Sequence, residues 1–122
     1  MKRCLIVDDS RVIRRVAAKI LQDLGFETEE AENGRKAVDA AKVRMPDVVL
    51  LDWEMPVLDG IGCVQELRKL PQGAAATVLF CTTENGVEDI RQALAAGANE
   101  YIMKPFDGEI IRTKLLLLGV LA

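Results

Sequence analysis

Short apolar runs alternate with amphipathic helical patterns along the whole chain, and this alternation limits the folds that the chain can adopt. Runs of a few apolar residues are typical of strands that are buried on both faces of a sheet. Strands are predicted over residues 4–7, 26–31, 48–51, 77–81 and 100–103. The second is so polar that we expect it at an edge of the sheet.

The segments between these runs have the periodicity of helices with one apolar face. Helices are predicted over residues 10–24, 35–44, 61–70, 85–96 and 107–118, with Ser10 as a cap and Gly25 and Gly97 as stops. Strict alternation of strand and helix implies a parallel sheet with helices on both faces. Five such repeats predict an α/β fold, the flavodoxin-like doubly wound (βα)5 type with strand order 2-1-3-4-5.

Composition excludes several kinds of chemistry. The chain has no histidine, which removes the commonest general base and transition-metal ligand. Its three cysteines lack the C-x-x-C spacing of a zinc or redox site, and we interpret them as core residues in a reducing compartment. A net charge of −3 gives no overall attraction to nucleic acid. No apolar run approaches the ~20 residues that span a bilayer.

Polar residues follow the predicted strands at the points where those strands end. Asp8 and Asp9 follow the first strand, Asp52 the third, Thr82 the fourth and Lys104 the fifth. In open parallel sheets, ligands bind outside the carboxyl ends of the strands, where the strand order reverses between strands 1 and 3. We therefore expect these side chains to converge on one crevice.

Three converging carboxylates cannot all stay ionised without a cation. Because the candidate ligands are all oxygen atoms, they indicate a hard ion such as Mg²⁺. Its ligands would be Asp8, Asp9, Asp52 and a backbone carbonyl from the loop after Asp52. Lys104 suits a phosphate oxygen, and Thr82 adds a hydroxyl donor. An aspartate in such a crevice is a candidate nucleophile that could form an aspartyl-phosphate.

Each of these residues also has a simpler interpretation when it is taken alone. Asp9 or Ser10 could cap the first helix, and the dipeptide at Lys104 could form an ordinary turn. Thr82 could be a residue that merely favours strands, and Trp53 is expected to pack rather than react. Only the joint placement at the strand ends distinguishes a functional site from these alternatives.

Four motifs resemble the receiver domain of two-component response regulators, in particular stand-alone CheY-like receivers. They are VDDS at residues 7–10, LLDWEMPVLDG at 50–60, VLFCTT at 78–83 and YIMKPF at 101–106, so the resemblance covers essentially the whole chain. It implies a single receiver domain over residues 1–122, with no output domain, in the bacterial cytoplasm.

The resemblance also implies a role for each acidic residue of the crevice. Asp52 corresponds to the phosphoacceptor. Asp9 corresponds to a direct Mg²⁺ ligand, and Asp8 to a ligand that acts partly through water. Glu54 stands at the position whose backbone carbonyl binds the metal.

The same resemblance implies the contacts to phosphate and the switch residues. Lys104 corresponds to the phosphate-contacting lysine, and its peptide bond to Pro105 is expected to be cis. Thr82 corresponds to the switch hydroxyl, and Tyr101 to the aromatic partner that rotates inward behind it. Thr83 stands where many relatives have alanine, and it corresponds to a further residue that contacts phosphate through its backbone.

The implied function is a switch rather than an enzyme. A histidine kinase or a histidine phosphotransfer protein would phosphorylate Asp52, and the protein-binding surface of the fourth helix, fifth strand and fifth helix would change. The implied setting is chemotaxis, motility or another phosphorelay, with intrinsic autodephosphorylation. The alternatives are an unphosphorylated receiver-like binding module and a small Mg²⁺-dependent phosphatase, although a dehalogenase-type phosphatase would have a second aspartate where Glu54 stands.

Two further surfaces have open interpretations. The apolar terminal segment KLLLLGVLA, at residues 114–122, is expected to pack on the core, with a homodimer or partner surface as the alternative. Arg11, Arg14 and Arg15 form either a solvated face of the first helix or a basic docking face for an acidic partner.

Overall fold

A computed structural model describes residues 2–53, 55, 57–82 and 87–121. The strands are β1 (Arg3–Val7), β2 (Glu27–Ala31), β3 (Val48–Asp52), β4 (Thr77–Thr82) and β5 (Glu100–Met103). The helices are α1 (Arg11–Asp23), α2 (Gly34–Val43), α3 (Gly60–Lys69), α4 (Val87–Ala96) and α5 (Gly108–Leu117). A short 3-10 turn, Gly73–Ala75, lies between α3 and β4.

All strand pairs are parallel, and the strand order is β2-β1-β3-β4-β5, which confirms the predicted fold. The sheet separates two apolar clusters. Helices α2, α3 and α4 contribute buried residues to one cluster, and α1 and α5 contribute to the other. This distribution follows from right-handed crossovers in a sheet whose order reverses at β1 and β3.

The burial of the strands follows their sequence patterns. Every residue of β3 is buried, as expected for a central strand with helices on both faces. In β2 only Ala31 is buried, and the strand order places β2 at an edge of the sheet, as predicted. Phe26, predicted as the first residue of β2, lies outside the strand but is buried beside it.

Side-chain caps set the starts of four helices. In each case an oxygen of the capping side chain accepts a hydrogen bond from the N–H three residues ahead; the caps are Ser10, Asn33, Asp59 and Asp107. Helices α2 and α3 consequently begin one residue earlier than predicted, at Gly34 and Gly60. The sequence pattern located both helices but did not identify Asn33 and Asp59 as their caps.

Arg68 in α3 connects that helix to the C-terminal end of α4. Its guanidinium donates hydrogen bonds to the main-chain oxygens of Gly73 (2.7 Å), Ala76 (2.6 Å) and Gly97 (2.7 Å). Gly97 has a φ of +121° and ends α4 as predicted. The predicted start of this helix, Asn85, lies outside the described residues.

The apolar C-terminal segment packs mainly on the α1/α5 side of the sheet. Leu115 is buried there, and Val120 and Leu121 pack against the same cluster. Leu116 and Leu117 remain 37% and 75% exposed, so core packing accounts for only part of this segment. No helix in the described part of the chain is long and apolar enough to cross a membrane.

Candidate functional site

The predicted polar residues converge at the carboxyl ends of the strands. The parallel register of β1 with β3 places Asp8 beside Asp52, which is itself the last residue of β3. At the end of β4, the carbonyl of Thr82 accepts a hydrogen bond of 2.9 Å from the N–H of Lys104. The sheet thus brings together residues that are up to 96 positions apart in the chain.

Lys104 binds two carboxylates at once. Its ammonium nitrogen lies 2.9 Å from Asp8 Oδ2 and 2.9 Å from Asp52 Oδ1. The side chain of Lys104 is 15% exposed, and those of Asp8 and Asp52 are 5% and 10% exposed. One cation therefore offsets part of the charge of two largely buried anions. The peptide bond from Lys104 to Pro105 is cis, as expected.

Asp8 is fixed by its main chain as well as by its carboxylate. Its N–H donates to the carbonyl of Ala31 in β2, at 3.2 Å. Its Oδ1 accepts from the N–H of Ser10, at 2.9 Å, while Oδ2 accepts from Lys104. The capping prediction for Ser10 is also confirmed, since its hydroxyl oxygen accepts from the N–H of Ile13.

Asp8, Asp9 and Asp52 form a cluster that could hold a metal ion. One carboxylate oxygen from each residue lies within 4.8 Å of the others. Asp8 and Asp52 are buried, whereas Asp9 is exposed. The donors are carboxylate oxygens, which fit a hard divalent cation such as Mg²⁺.

The charge of Asp52 is incompletely compensated by its surroundings. Burial raises the pKa of this carboxyl, and Asp8 and Asp9 raise it further, while the hydrogen bond from Lys104 lowers it; the net pKa is raised. For Lys104, burial lowers the pKa, but the hydrogen bonds and attraction from Asp8 and Asp52 outweigh burial and raise it. An additional cation near Asp52 would therefore stabilise its ionised form.

The loop after β3 packs tightly against the main chain of Asp52. Trp53 donates its N–H to the carbonyl of Cys81, and its ring lies 5.3 Å from that of Phe80. A Cβ atom on Gly60 would lie 2.4 Å from the Phe80 ring and 2.7 Å from the Asp52 carbonyl oxygen. Trp53 therefore has the packing role predicted for it, and Gly60 leaves room for this close approach.

Thr82 and Tyr101, which the resemblance predicts to form a switch pair, lie on the neighbouring strands β4 and β5. Thr82 is buried at the end of β4. Tyr101 in β5 is partly buried, and the ammonium nitrogen of Lys114 lies 4.7 Å from the centre of its ring. The remaining predicted contacts, the carbonyl of Glu54 and the backbone of Thr83, lie outside the described residues.

Arg14 also contacts the candidate site, although the sequence pattern did not distinguish it from Arg11 and Arg15. Its guanidinium donates a hydrogen bond of 2.7 Å to the carbonyl of Asp8 and one of 3.0 Å to the carboxylate of Glu30. Its position one helical turn after the Ser10 cap, on the side facing β1 and β2, is the signal that could have separated it from the exposed Arg11 and Arg15.

Comparison with known protein families assigns the chain. A profile of the response regulator receiver domain matches residues 4–116. The chain belongs to this family. Its similarity to a CheY chemotaxis protein of Halobacterium salinarum is 39% identity over 105 residues, 86% of each chain. For CheY-3 of Vibrio cholerae it is 39% identity over 114 residues, which cover 93% of this chain and 88% of that protein.

Solved receiver structures have the same fold. The chemotaxis response regulator CheY4 of Vibrio cholerae superposes with a TM-score of 0.92 at 36% identity, covering 97% of this chain and 98% of CheY4. A receiver domain from a Pseudomonas aeruginosa sensor histidine kinase superposes with a TM-score of 0.86 at 30% identity, covering 97% and 98%. That structure contains a magnesium ion coordinated in its active-site cleft.

Replacing Asp52 by asparagine is expected to stabilise the metal-free receiver at neutral pH, by about 1 kcal/mol. The pKa of Asp52 is raised in the folded state, so folding favours the protonated carboxyl. The stability that this preference supplies is present below the unfolded pKa and is lost as the pH rises through the folded pKa. The advantage of Asp52→Asn should therefore be small in acid and grow toward neutrality.

Urea unfolding with a chelator present, repeated from acid to neutral pH, measures this difference. Asp59→Asn is the matched control, because Asp59 caps α3 and asparagine caps helices equally well. An advantage of Asp52→Asn that is the same at every pH would contradict the assignment of the effect to ionisation of Asp52.

Proposed function

We propose that this receiver accepts a phosphoryl group on Asp52 in a Mg²⁺-dependent reaction and thereby switches a protein-binding surface. The observation that carries the proposal is the position of Lys104, 2.9 Å from both Asp8 and Asp52, beside three carboxylates that lie within 4.8 Å of one another. A cluster of acids with one lysine at the strand ends suits a phosphoryl group bound between a cation and an ammonium.

In the proposed reaction, a carboxylate oxygen of Asp52 attacks the phosphorus of a phosphohistidine. A P–O bond forms, the P–N bond breaks, and the donor imidazole leaves with the electron pair. Lys104 would then exchange its contact with Asp52 for one with a phosphoryl oxygen. Thr82 would donate its hydroxyl to another oxygen, and the N–H of Thr83 to a third.

The metal would be held by Asp9 and Asp52 directly, by Asp8 partly through water, and by the carbonyl of Glu54. The coordinated magnesium in the similar Pseudomonas aeruginosa receiver supports this assignment. When bound, Mg²⁺ supplies positive charge that offsets both the carboxylates and the transferring phosphoryl group. The protein's own contribution is to place the Asp52 oxygen and the Lys104 ammonium on the same side of the crevice.

Phosphorylation would change the protein through local charge. The phosphoryl group adds a charge of about −1.5 to −2, which attracts the Thr82 hydroxyl and Lys104. Shifting a two-state surface from roughly 1:99 to 99:1 takes about 5.5 kcal/mol. Two charge-assisted hydrogen bonds of about 3 kcal/mol each, or three of about 2 kcal/mol each, suffice for this shift. Tyr101 would follow Thr82 and alter the surface formed by α4, β5 and α5.

Two surfaces would serve as partner sites. Beside Lys104, a groove of about 420 Å³ is lined by Ile13, Val16 and Phe106, next to the exposed Arg11 and Arg15. We propose that the histidine kinase or phosphotransfer protein docks there. The downstream target would bind the α4–β5–α5 surface, where the exposed Leu116 and Leu117 could alternatively support a homodimer.

The bacterial CheY relatives, which are chemotaxis proteins, support the proposed setting. We propose one receiver domain over residues 1–122 that works in the bacterial cytoplasm, in chemotaxis or another phosphorelay. It would be a phosphoacceptor with intrinsic autodephosphorylation rather than a classical enzyme. Neither nucleic acid nor membrane insertion enters the proposal.

The test is a two-stage titration of Trp53 fluorescence, since this sole tryptophan directly follows Asp52. Mg²⁺ is added first, followed by acetyl phosphate or beryllofluoride. We expect a saturable response to Mg²⁺ and then a second response, with one phosphoryl group per chain found by intact mass after acetyl phosphate. A folded protein that gives no second response and gains no mass would overturn the proposal in favour of an unphosphorylated binding module.

A further inference from the structure

Arg14 connects three elements of the fold next to Asp8, at the carboxyl ends of the strands. It lies in α1, its Nη1 donates to the carbonyl of Asp8 after β1, and its Nε donates to the Glu30 carboxylate in β2. The Arg14 side chain is only 14% exposed and that of Glu30 is 32% exposed. A planar guanidinium held at two points has little freedom, so this contact is geometrically well defined.

The acceptor in this contact is the main chain between the two acidic residues. The carbonyl of Asp8 belongs to the peptide unit whose nitrogen is that of Asp9, and this unit is planar. A hydrogen bond to the carbonyl therefore orients the plane that leads into Asp9. Asp8 has further anchors in Ser10 and Lys104, whereas Asp9 is exposed.

We infer that Arg14 is a positioning residue for the metal site: by holding the Asp8–Asp9 peptide against Glu30, it sets the direction in which the Asp9 carboxylate enters the crevice. The inference rests on the proposed Mg²⁺-dependent function. It assigns Arg14 to the site and leaves Arg11 and Arg15, which are exposed on the same helix, as candidates for partner contact.

The charge of Arg14 acts in the opposite direction to this positioning. A guanidinium next to the acidic cluster repels a divalent cation, so its removal would strengthen Mg²⁺ binding if charge alone mattered. Loss of orientation would weaken binding, because residues that support metal ligands typically contribute 10- to 100-fold in affinity. The sign of the change therefore separates positioning from simple electrostatics.

The experiment measures Mg²⁺ binding to Arg14→Met by Trp53 fluorescence and by calorimetry. We expect the Mg²⁺ concentration at half-saturation to rise about tenfold. Arg15→Met, which removes the same charge from the next position of the helix, should change it by less than about twofold. Urea unfolding of the same variants reports separately on the structural contribution of the Arg14–Glu30 ion pair.

Arg14→Lys keeps the charge but lacks the fork that reaches both acceptors, so it should also weaken Mg²⁺ binding. If Arg14→Met does not fold, Arg14→Lys tests whether Arg14 positions the metal site. Arg14 variants that bind Mg²⁺ as well as or better than wild type would overturn the inference, even if they unfold more easily. A wild-type protein that does not respond to Mg²⁺ would overturn the proposed function itself, and this inference with it.

Discussion

Asp52→Asn is expected to abolish phosphoryl uptake completely while the receiver stays folded. The amide has the shape of the carboxylate and an oxygen that can still accept from Lys104, but it is not a nucleophile toward phosphorus. The variant should therefore show no mass increase after incubation with acetyl phosphate and Mg²⁺. It should also lack the second Trp53 fluorescence response that we expect of wild type.

The control for this experiment is Asp59→Asn, seven residues along the same loop. Asp59 caps α3 with its Oδ1 and takes no part in the crevice, so its asparagine variant should be phosphorylated like wild type. Undiminished labelling of Asp52→Asn would place the acceptor on another residue. Peptide mapping after borohydride reduction would then identify which aspartate forms the acyl phosphate.

Lys104→Met is expected to destabilise the metal-free protein by about 3 kcal/mol at neutral pH. Lys104 is the shared hydrogen-bond donor of Asp8 and Asp52, and its removal leaves two largely buried carboxylates without that cation. Removing one partner of a buried pair typically costs about 3–5 kcal/mol. The low end is appropriate because water reaches part of the Lys104 side chain, which is 15% exposed.

The stability lost in Lys104→Met should depend on pH. Without Lys104, the carboxyl of Asp52 loses the contact that lowers its pKa, so the folded-state pKa rises further above its unfolded value. The loss of unfolding free energy in Lys104→Met should then be smaller in acid, where the carboxyls are protonated. At neutral pH, Mg²⁺ should also reduce this loss. Urea unfolding at acid and neutral pH, with and without Mg²⁺, measures both effects.

Lys19→Met is the matched control, because Lys19 pairs with Asp23 on an exposed helix face. An exposed pair of this kind contributes about 0.3–0.5 kcal/mol, with little dependence on Mg²⁺. If Lys104→Met lowered the free energy of unfolding no more than Lys19→Met does, the buried ion pairs of Lys104 could not be a main source of stability at the strand ends.

The fold could be predicted from the sequence because two periodicities report burial directly. A strand covered on both faces must be apolar throughout, as β3 is, whereas an edge strand such as β2 tolerates charge. Two strands end one residue later than the sequence pattern predicts. Asp52 and Thr82 were expected just after their strands but form the last residues of β3 and β4, because their main chains still pair with neighbouring strands.

The members of the site could be predicted more readily than the contacts among them. Parallel topology brings Asp8, Asp52 and Lys104 to one edge, but the double contact of Lys104 depends on side-chain distances that no pattern encodes. The role of Arg14 depends in the same way on a carbonyl next to it in space. Val57 is a further example: it has a φ of +74°, where the local sequence alone would favour glycine or asparagine.

The hydrogen bonds from Arg68 have a consequence for how a signal could travel through this receiver. They fasten the C-terminal end of α4, at Gly97, to α3 and to the loop before β4. Thr82 lies at the opposite end of the same strand–helix unit, where β4 leads toward the start of α4 at Val87. If phosphorylation displaces Thr82 as proposed, the movement would reach a helix whose C-terminal end is held at Gly97. We then expect the displacement of α4 to increase from Gly97 toward Val87.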